Sequence, residues 1–114
     1  MSALLRSCLC ALALSALAAS MPGFAADPLE VKLIIKNHRF QPTELKVPSG
    51  QKIKLVVENQ DPTPEEFESY SLNREKIVPG KGRITVLIGP LKPGKYEFFG
   101  EFNMSTATGF IVAQ

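Results

Sequence analysis

From residue 27 onward, short segments rich in Val, Ile, Leu, Phe and Tyr alternate with Pro, Gly, Asn and Asp. This spacing is typical of an all-β sandwich or barrel. Two of the segments also alternate apolar and polar residues, as strands with one buried face do. Their apolar faces consist of Ile53, Leu55 and Val57 in one segment and of Ile84, Val86 and Ile88 in the other. The sequence therefore predicts one all-β domain over residues 27–114.

Seven strands are predicted, over residues 31–36, 44–47, 52–58, 66–72, 83–88, 95–99 and 109–112. An eighth, short edge strand over residues 75–78 is left open. Pro-Gly turns at Pro79-Gly80 and Pro93-Gly94 separate later segments, because proline fixes φ and glycine tolerates positive φ. No segment has a helical period, so about seven or eight strands are expected.

Residues 1–26 have the pattern of a secretory signal peptide. Arg6 supplies the positive charge, residues 9–19 are apolar, and small residues near Ala25 and Ala26 predict the cleavage site. The apolar stretch is shorter than the roughly 20 residues that span a bilayer. We therefore expect an exported chain that is released without membrane insertion.

Both cysteines, Cys8 and Cys10, lie within this leader, so the domain is expected to contain neither a disulfide nor a thiolate. The formal net charge of the whole chain is +2, and no basic patch suggests nucleic acid as a partner. One histidine and no cysteine in the domain leave little for catalysis, so any activity would be metal-centred oxidation.

Several motifs follow one another in an order that resembles the cupredoxins. They are Phe40-x-Pro42, Val47-Pro48-Ser49-Gly50, Glu58-Asn59, residues 93–98 (PGKYEF) and residues 109–112 (GFIV). In more detail, residues 65–80 and 89–103 resemble the EfeO-type cupredoxin-like family. The resemblance implies a Greek-key β-sandwich in the periplasm that binds iron or copper. It further implies a membrane iron permease and a periplasmic iron-binding protein as partners.

A type 1 copper centre needs one cysteine, two histidines and a weak axial ligand. With the chain aligned on Tyr96 and Phe98, the cysteine position is Gly100 and the second histidine position is Asn103. The axial methionine position falls near Ala107, and the upstream histidine falls at Glu65 or Glu66. All four expected ligands are therefore missing, and a blue copper site is not expected.

An oxygen-rich site is predicted instead. Glu66 and Glu68 lie two residues apart, so a strand directs both to one side, with Tyr70 behind them and Phe67 toward the core. Glu101 and Met104 follow in the last loop, and His38 joins them if its loop lies at the same end. Carboxylates suit iron, with copper as the second choice. An exposed acidic strand face, a surface histidine and a methionine that covers the sandwich end are the structural alternatives.

Neighbouring Arg74 and Glu75 suggest a local salt bridge.

Three functions remain open from the sequence. The first is a periplasmic metal-binding protein that assists iron uptake by a membrane permease. The second is a metal-free periplasmic interaction module, and the third is a copper electron-transfer protein with a site that is not type 1.

Overall fold

The computed structural model describes residues 27–114. Nine strands in this part of the chain form two sheets: β1 Leu29–Lys36, β2 Arg39–Gln41, β3 Glu44–Val47, β4 Ile53–Asn59, β5 Glu65–Ser69, β6 Arg74–Val78, β7 Arg83–Ile88, β8 Gly94–Gly100 and β9 Thr108–Ala113. A short 3₁₀ helix, Glu101–Asn103, follows β8. The predicted signal peptide lies outside the described residues. Within residues 27–114 the structure has no helix with the length and hydropathy needed to cross a bilayer.

One sheet has the strand order β2-β1-β4-β7, and the other has the order β3-β9-β8-β5-β6. The β1–β4 and β3–β9 pairs are parallel, whereas the remaining pairs are antiparallel. The all-β sandwich prediction is therefore confirmed. The expected number of strands was too low, because β2 was missed and β6 is a full member of its sheet.

The core lies between the two sheets. The apolar faces predicted for β4 and β7 are buried there, together with Leu33 and Ile35 from β1. Three fully buried rings fill its centre: the Phe40 ring packs edge-on against Phe67 and Phe98, at centroid distances of 6.2 Å and 4.9 Å. Phe67 and Phe98 anchor β5 and β8, and β5 carries two residues of the candidate site.

The missed strand β2 pairs with β1 across a two-residue turn at Asn37 and His38. Both turn residues have positive φ, which matches the tight turn that favours strand hairpins. The Asp61 carboxylate accepts the backbone N–H groups of Asn37 and His38 at 2.8 Å and 2.9 Å. His38 is therefore part of a hairpin supported by Asp61 rather than of an open loop.

Strand β5 ends earlier than predicted. It stops at Ser69, and residues 70–73 form the turn to β6, with Asn73 in the left-handed region at φ 54°. Tyr70 thus follows Glu66 and Glu68 from the turn rather than from the strand, beside Phe99, which pairs with Glu68. Tyr70 is 78 % exposed in the turn, and its ring packs against Phe99.

Candidate metal centre

Four glutamates meet on the outer face of the five-stranded sheet. Glu66 and Glu68 project from β5 on the side opposite to the buried Phe67. The β5–β6 register places Glu75 directly across from Glu68, and Glu101 begins the 3₁₀ helix after β8. One carboxylate oxygen from each glutamate lies within 4.8 Å of the others. We call Glu66, Glu68, Glu75 and Glu101 the carboxylate cluster.

Glu66 is the most enclosed member of this cluster. Glu66 is 8 % exposed, and its Oε1 atom is buried without a hydrogen-bond partner. Sharing a proton with Glu75, loss of water and the nearby charge of Glu101 raise the pKa of Glu66 to about 8. Loss of water and the same two neighbours also raise the pKa of Glu68. The cluster therefore holds its negative charges too close together to ionise independently.

Such a cluster can bind a cation. A metal ion would satisfy the unpartnered oxygen of Glu66 and remove the repulsion between the carboxylates. Oxygen ligands select hard cations, and carboxylates are poor ligands for cuprous copper. The donor set of the carboxylate cluster thus fits iron better than it fits a copper centre that cycles between two oxidation states.

The structure brings together three of the five residues predicted for the site, Glu66, Glu68 and Glu101. It does not place His38 among them. His38 is exposed in the β1–β2 turn, with its Nδ1 atom 3.7 Å from Asp61 Oδ2. Met104 is 58 % exposed and borders a surface depression with Tyr70, Phe99 and Phe110.

Glu75 is the cluster member that the sequence interpretation missed. The expected ion pair with Arg74 does not form in the described part of the chain. Arg74 instead donates to the backbone carbonyls of Leu72, Asn73 and Leu87. The signal that could have found Glu75 is the hairpin itself, because a four-residue turn after Ser69 places Glu75 opposite Glu68.

The four positions expected to hold type 1 copper ligands also meet, next to the cluster but on the inner side of β5. Three of them, Gly100, Asn103 and Ala107, lie around the carboxylate of the fourth, Glu65, which is 1 % exposed. Its Oε2 accepts the Asn103 side-chain N–H at 2.7 Å. A Cβ on Gly100 would lie 2.6 Å from Glu65 Cδ and 2.8 Å from the Ala107 Cβ. The side chains at Glu65, Asn103, Gly100 and Ala107 are a carboxylate, an amide, a hydrogen and a methyl group. These residues do not fit a type 1 copper centre.

Comparisons with known proteins agree with this fold. The chain is 54 % identical over 84 residues to the uncharacterized protein RP394 of Rickettsia prowazekii (strain Madrid E), covering 74 % of this chain and 67 % of that protein. Auracyanin A, a "blue" copper protein from Chloroflexus aurantiacus, matches with a TM-score of 0.66 and 13 % identity, over 76 % of this chain and 99 % of that one.

Amicyanin from Paracoccus versutus matches with a TM-score of 0.59 and 14 % identity, over 84 % of this chain and 87 % of its own. At such low identity these two structures establish a shared fold and nothing about the metal. The model of the cupredoxin-like domain family matches residues 8–113. This chain therefore belongs to the cupredoxin-like domain family.

Proposed function

We propose that this protein is a periplasmic metal-binding protein that holds an iron ion in the carboxylate cluster and assists iron uptake by a membrane permease. The observation that carries the proposal is the convergence of four carboxylates within 4.8 Å around a largely buried Glu66. An acidic strand face in water would keep its carboxylates apart, whereas here four of them converge. One of their oxygens, Glu66 Oε1, is also buried without a hydrogen-bond partner. A bound cation accounts for both features.

Iron is proposed because the cluster offers oxygen ligands alone. Neither histidine nor cysteine belongs to this group in the described residues. Hard ferric and ferrous ions suit such a donor set, and copper remains the second choice. Copper electron transfer is not favoured, because the inner position lacks the thiolate and imidazoles that stabilise both oxidation states of copper.

The role in uptake rests on the resemblance to the EfeO-type family. The two segments that carry this resemblance are residues 65–80 and 89–103, and together they contain all four members of the carboxylate cluster. We accordingly propose a membrane iron permease and a periplasmic iron-binding protein as partners. The signal-like residues 1–26 support an exported location.

The direct test is anaerobic titration of the purified protein with ferrous iron, followed by isothermal titration calorimetry. We expect about one ion per chain, and we expect the double variant Glu66→Gln with Glu68→Gln to abolish binding. Glu97→Gln is the matched control, since Glu97 is an exposed glutamate on neighbouring β8 outside the cluster. Unchanged binding in the double variant would refute the proposed site.

A metal-free docking function is the second candidate, and it has its own observation. Tyr70, Met104 and Phe110 are 78 %, 58 % and 42 % exposed around a depression of about 580 Å³. Exposed apolar side chains that lie together are typical of interaction sites. A docking module would melt at the same temperature with and without iron. An iron-binding protein would instead gain about 2.7 kcal/mol at a free concentration 100 times Kd.

A further inference from the structure

A buried carboxylate occupies the position where a cupredoxin of the type 1 class would hold its metal. We infer that Glu65 is a positioning residue: it joins β5 to the 3₁₀ helix in place of a copper ion and so sets the geometry of the carboxylate cluster. This inference rests on the proposed iron site, because its functional effect is on the affinity of that site. Glu65 itself is not a member of the cluster.

The Glu65 carboxylate fills the space among the former ligand positions, where a type 1 copper ion would lie. The Glu65 carboxylate lies against Gly100, where even an added Cβ would come within 2.6 Å of Glu65 Cδ and 2.8 Å of Oε2. Ala107 is fully buried on the same side, and the backbone N–H of Gly100 donates to the Ala107 carbonyl at 2.8 Å. Small residues at both positions make the room that the carboxylate takes.

The hydrogen bonds that Glu65 accepts come from both β5 and the 3₁₀ helix. Its Oε1 accepts the backbone N–H of Glu66 at 2.9 Å and that of Phe102 at 2.8 Å. Its Oε2 accepts the Asn103 side chain at 2.7 Å. Charge-assisted bonds of this kind are among the stronger hydrogen bonds in proteins. One side chain therefore fixes backbone on both β5 and the 3₁₀ helix.

The fixed backbone groups lie next to two members of the cluster. Glu66 contributes its own N–H to Glu65, and Glu101 immediately precedes Phe102. Glu66 lies on β5 and Glu101 follows β8, and these two strands pair at Phe67 with Gly100 and at Glu68 with Phe99. Removing groups that orient metal ligands typically lowers metal affinity by about 10- to 100-fold.

Two variants at residue 65 test this role by calorimetric titration with ferrous iron under anaerobic conditions. Glu65→Ala removes all three bonds, and we expect an affinity about 10- to 100-fold lower. Glu65→Gln keeps an acceptor for Glu66 and Phe102, and reorientation of the Asn103 amide restores the third bond. We expect its affinity to stay within a few-fold of the wild type. Circular dichroism checks that both variants are folded.

Wild-type affinity in folded Glu65→Ala would overturn the inference. An equal loss in Glu65→Gln and Glu65→Ala would also overturn it, because charge rather than position would then be the cause. If Glu65→Ala does not fold, Asn103→Ala provides the test, since it removes one of the three bonds from outside the cluster. Asn103→Ala should weaken iron binding, and an unchanged affinity would refute the positioning role.

Failure of the proposed iron site is distinguishable from failure of this inference. A wild-type protein that binds no iron refutes the proposed function. The hydrogen bonds of Glu65 are then tested by amide hydrogen exchange of the metal-free wild type. The Phe102 N–H donates to Glu65 Oε1, so protection of that amide from exchange reports on this bond. Exchange of that amide at the rate of a free peptide would overturn the inference on its own.

Discussion

Iron binding at the carboxylate cluster should depend strongly on pH, because the ion must displace a proton. Glu66 has a pKa raised to about 8, mainly by the proton it shares with Glu75, then by loss of water and by Glu101. Metal ligands bind in their deprotonated form, so a cation and the Glu66 proton compete for the same oxygens. Affinity should therefore rise as the pH increases toward 8.

The expected size of the pH effect on iron affinity follows from the pKa of Glu66. A group with a pKa of about 8 is ionised to about 10 % at pH 7 and about 1 % at pH 6. The apparent affinity should thus be about 10-fold lower at pH 7, and about 100-fold lower at pH 6, than for the ionised site. The raised pKa of Glu68 acts in the same direction. About one proton should be released per ion bound at pH 7.

Isothermal titration calorimetry between pH 6 and 8 measures this dependence, using a ferrous iron solution under anaerobic conditions. Titration in two buffers with different ionisation enthalpies counts the protons released. Glu97→Gln is the control and should keep the full pH dependence, whereas Glu66→Gln should bind more weakly and with a shallower slope. A wild-type affinity that is constant from pH 6 to 8, with no proton released, would refute the argument.

Two further predictions concern the metal-free protein and are measured by urea denaturation. The pKa of Glu66 in the folded state is raised to about 8 from its ordinary value of 4.5, so the folded state holds more protons between these values. The unfolding free energy should therefore fall as the pH rises from about 5 to 8. Glu66→Gln should flatten that slope, and a wild-type stability that rises over this range would contradict the assignment. Phe67→Ala should lower the unfolding free energy by about 3–5 kcal/mol, since its ring is fully buried against two others. The exposed Phe110→Ala should change it by no more than about 1 kcal/mol, and equal effects of the two variants would contradict the described core.

Much of this fold could be predicted from alternation alone. The segment from Ile53 to Val57 has one apolar face, and that face is buried in the sandwich as expected. Strand β2 was missed because three residues are too few to show a period. Its pairing with β1 depends on positive φ at Asn37 and His38, and Asp61 accepts both of their backbone N–H groups from a distant part of the sequence.

The candidate site was predicted to the extent that it depends on one strand. Glu66 and Glu68 share a face because side chains in a strand repeat every two residues. Glu75 was not predicted, since its position depends on the register between β5 and β6, which its local sequence does not encode. His38 was placed near the cluster by counting strands, and the additional strand β2 makes that count unreliable.

Adjacent residues of β5 carry two different chemical roles because of the same two-residue period. Glu65 and Phe67 face inward, where the Glu65 carboxylate accepts hydrogen bonds from N–H groups of the protein. Glu66 and Glu68 face outward, where carboxylates meet other carboxylates and lack donors. A shift of one residue would exchange these faces and bury the wrong pair. The inner carboxylate at a type 1 ligand position and the outer pair of the carboxylate cluster are therefore both consequences of the alternation of one strand.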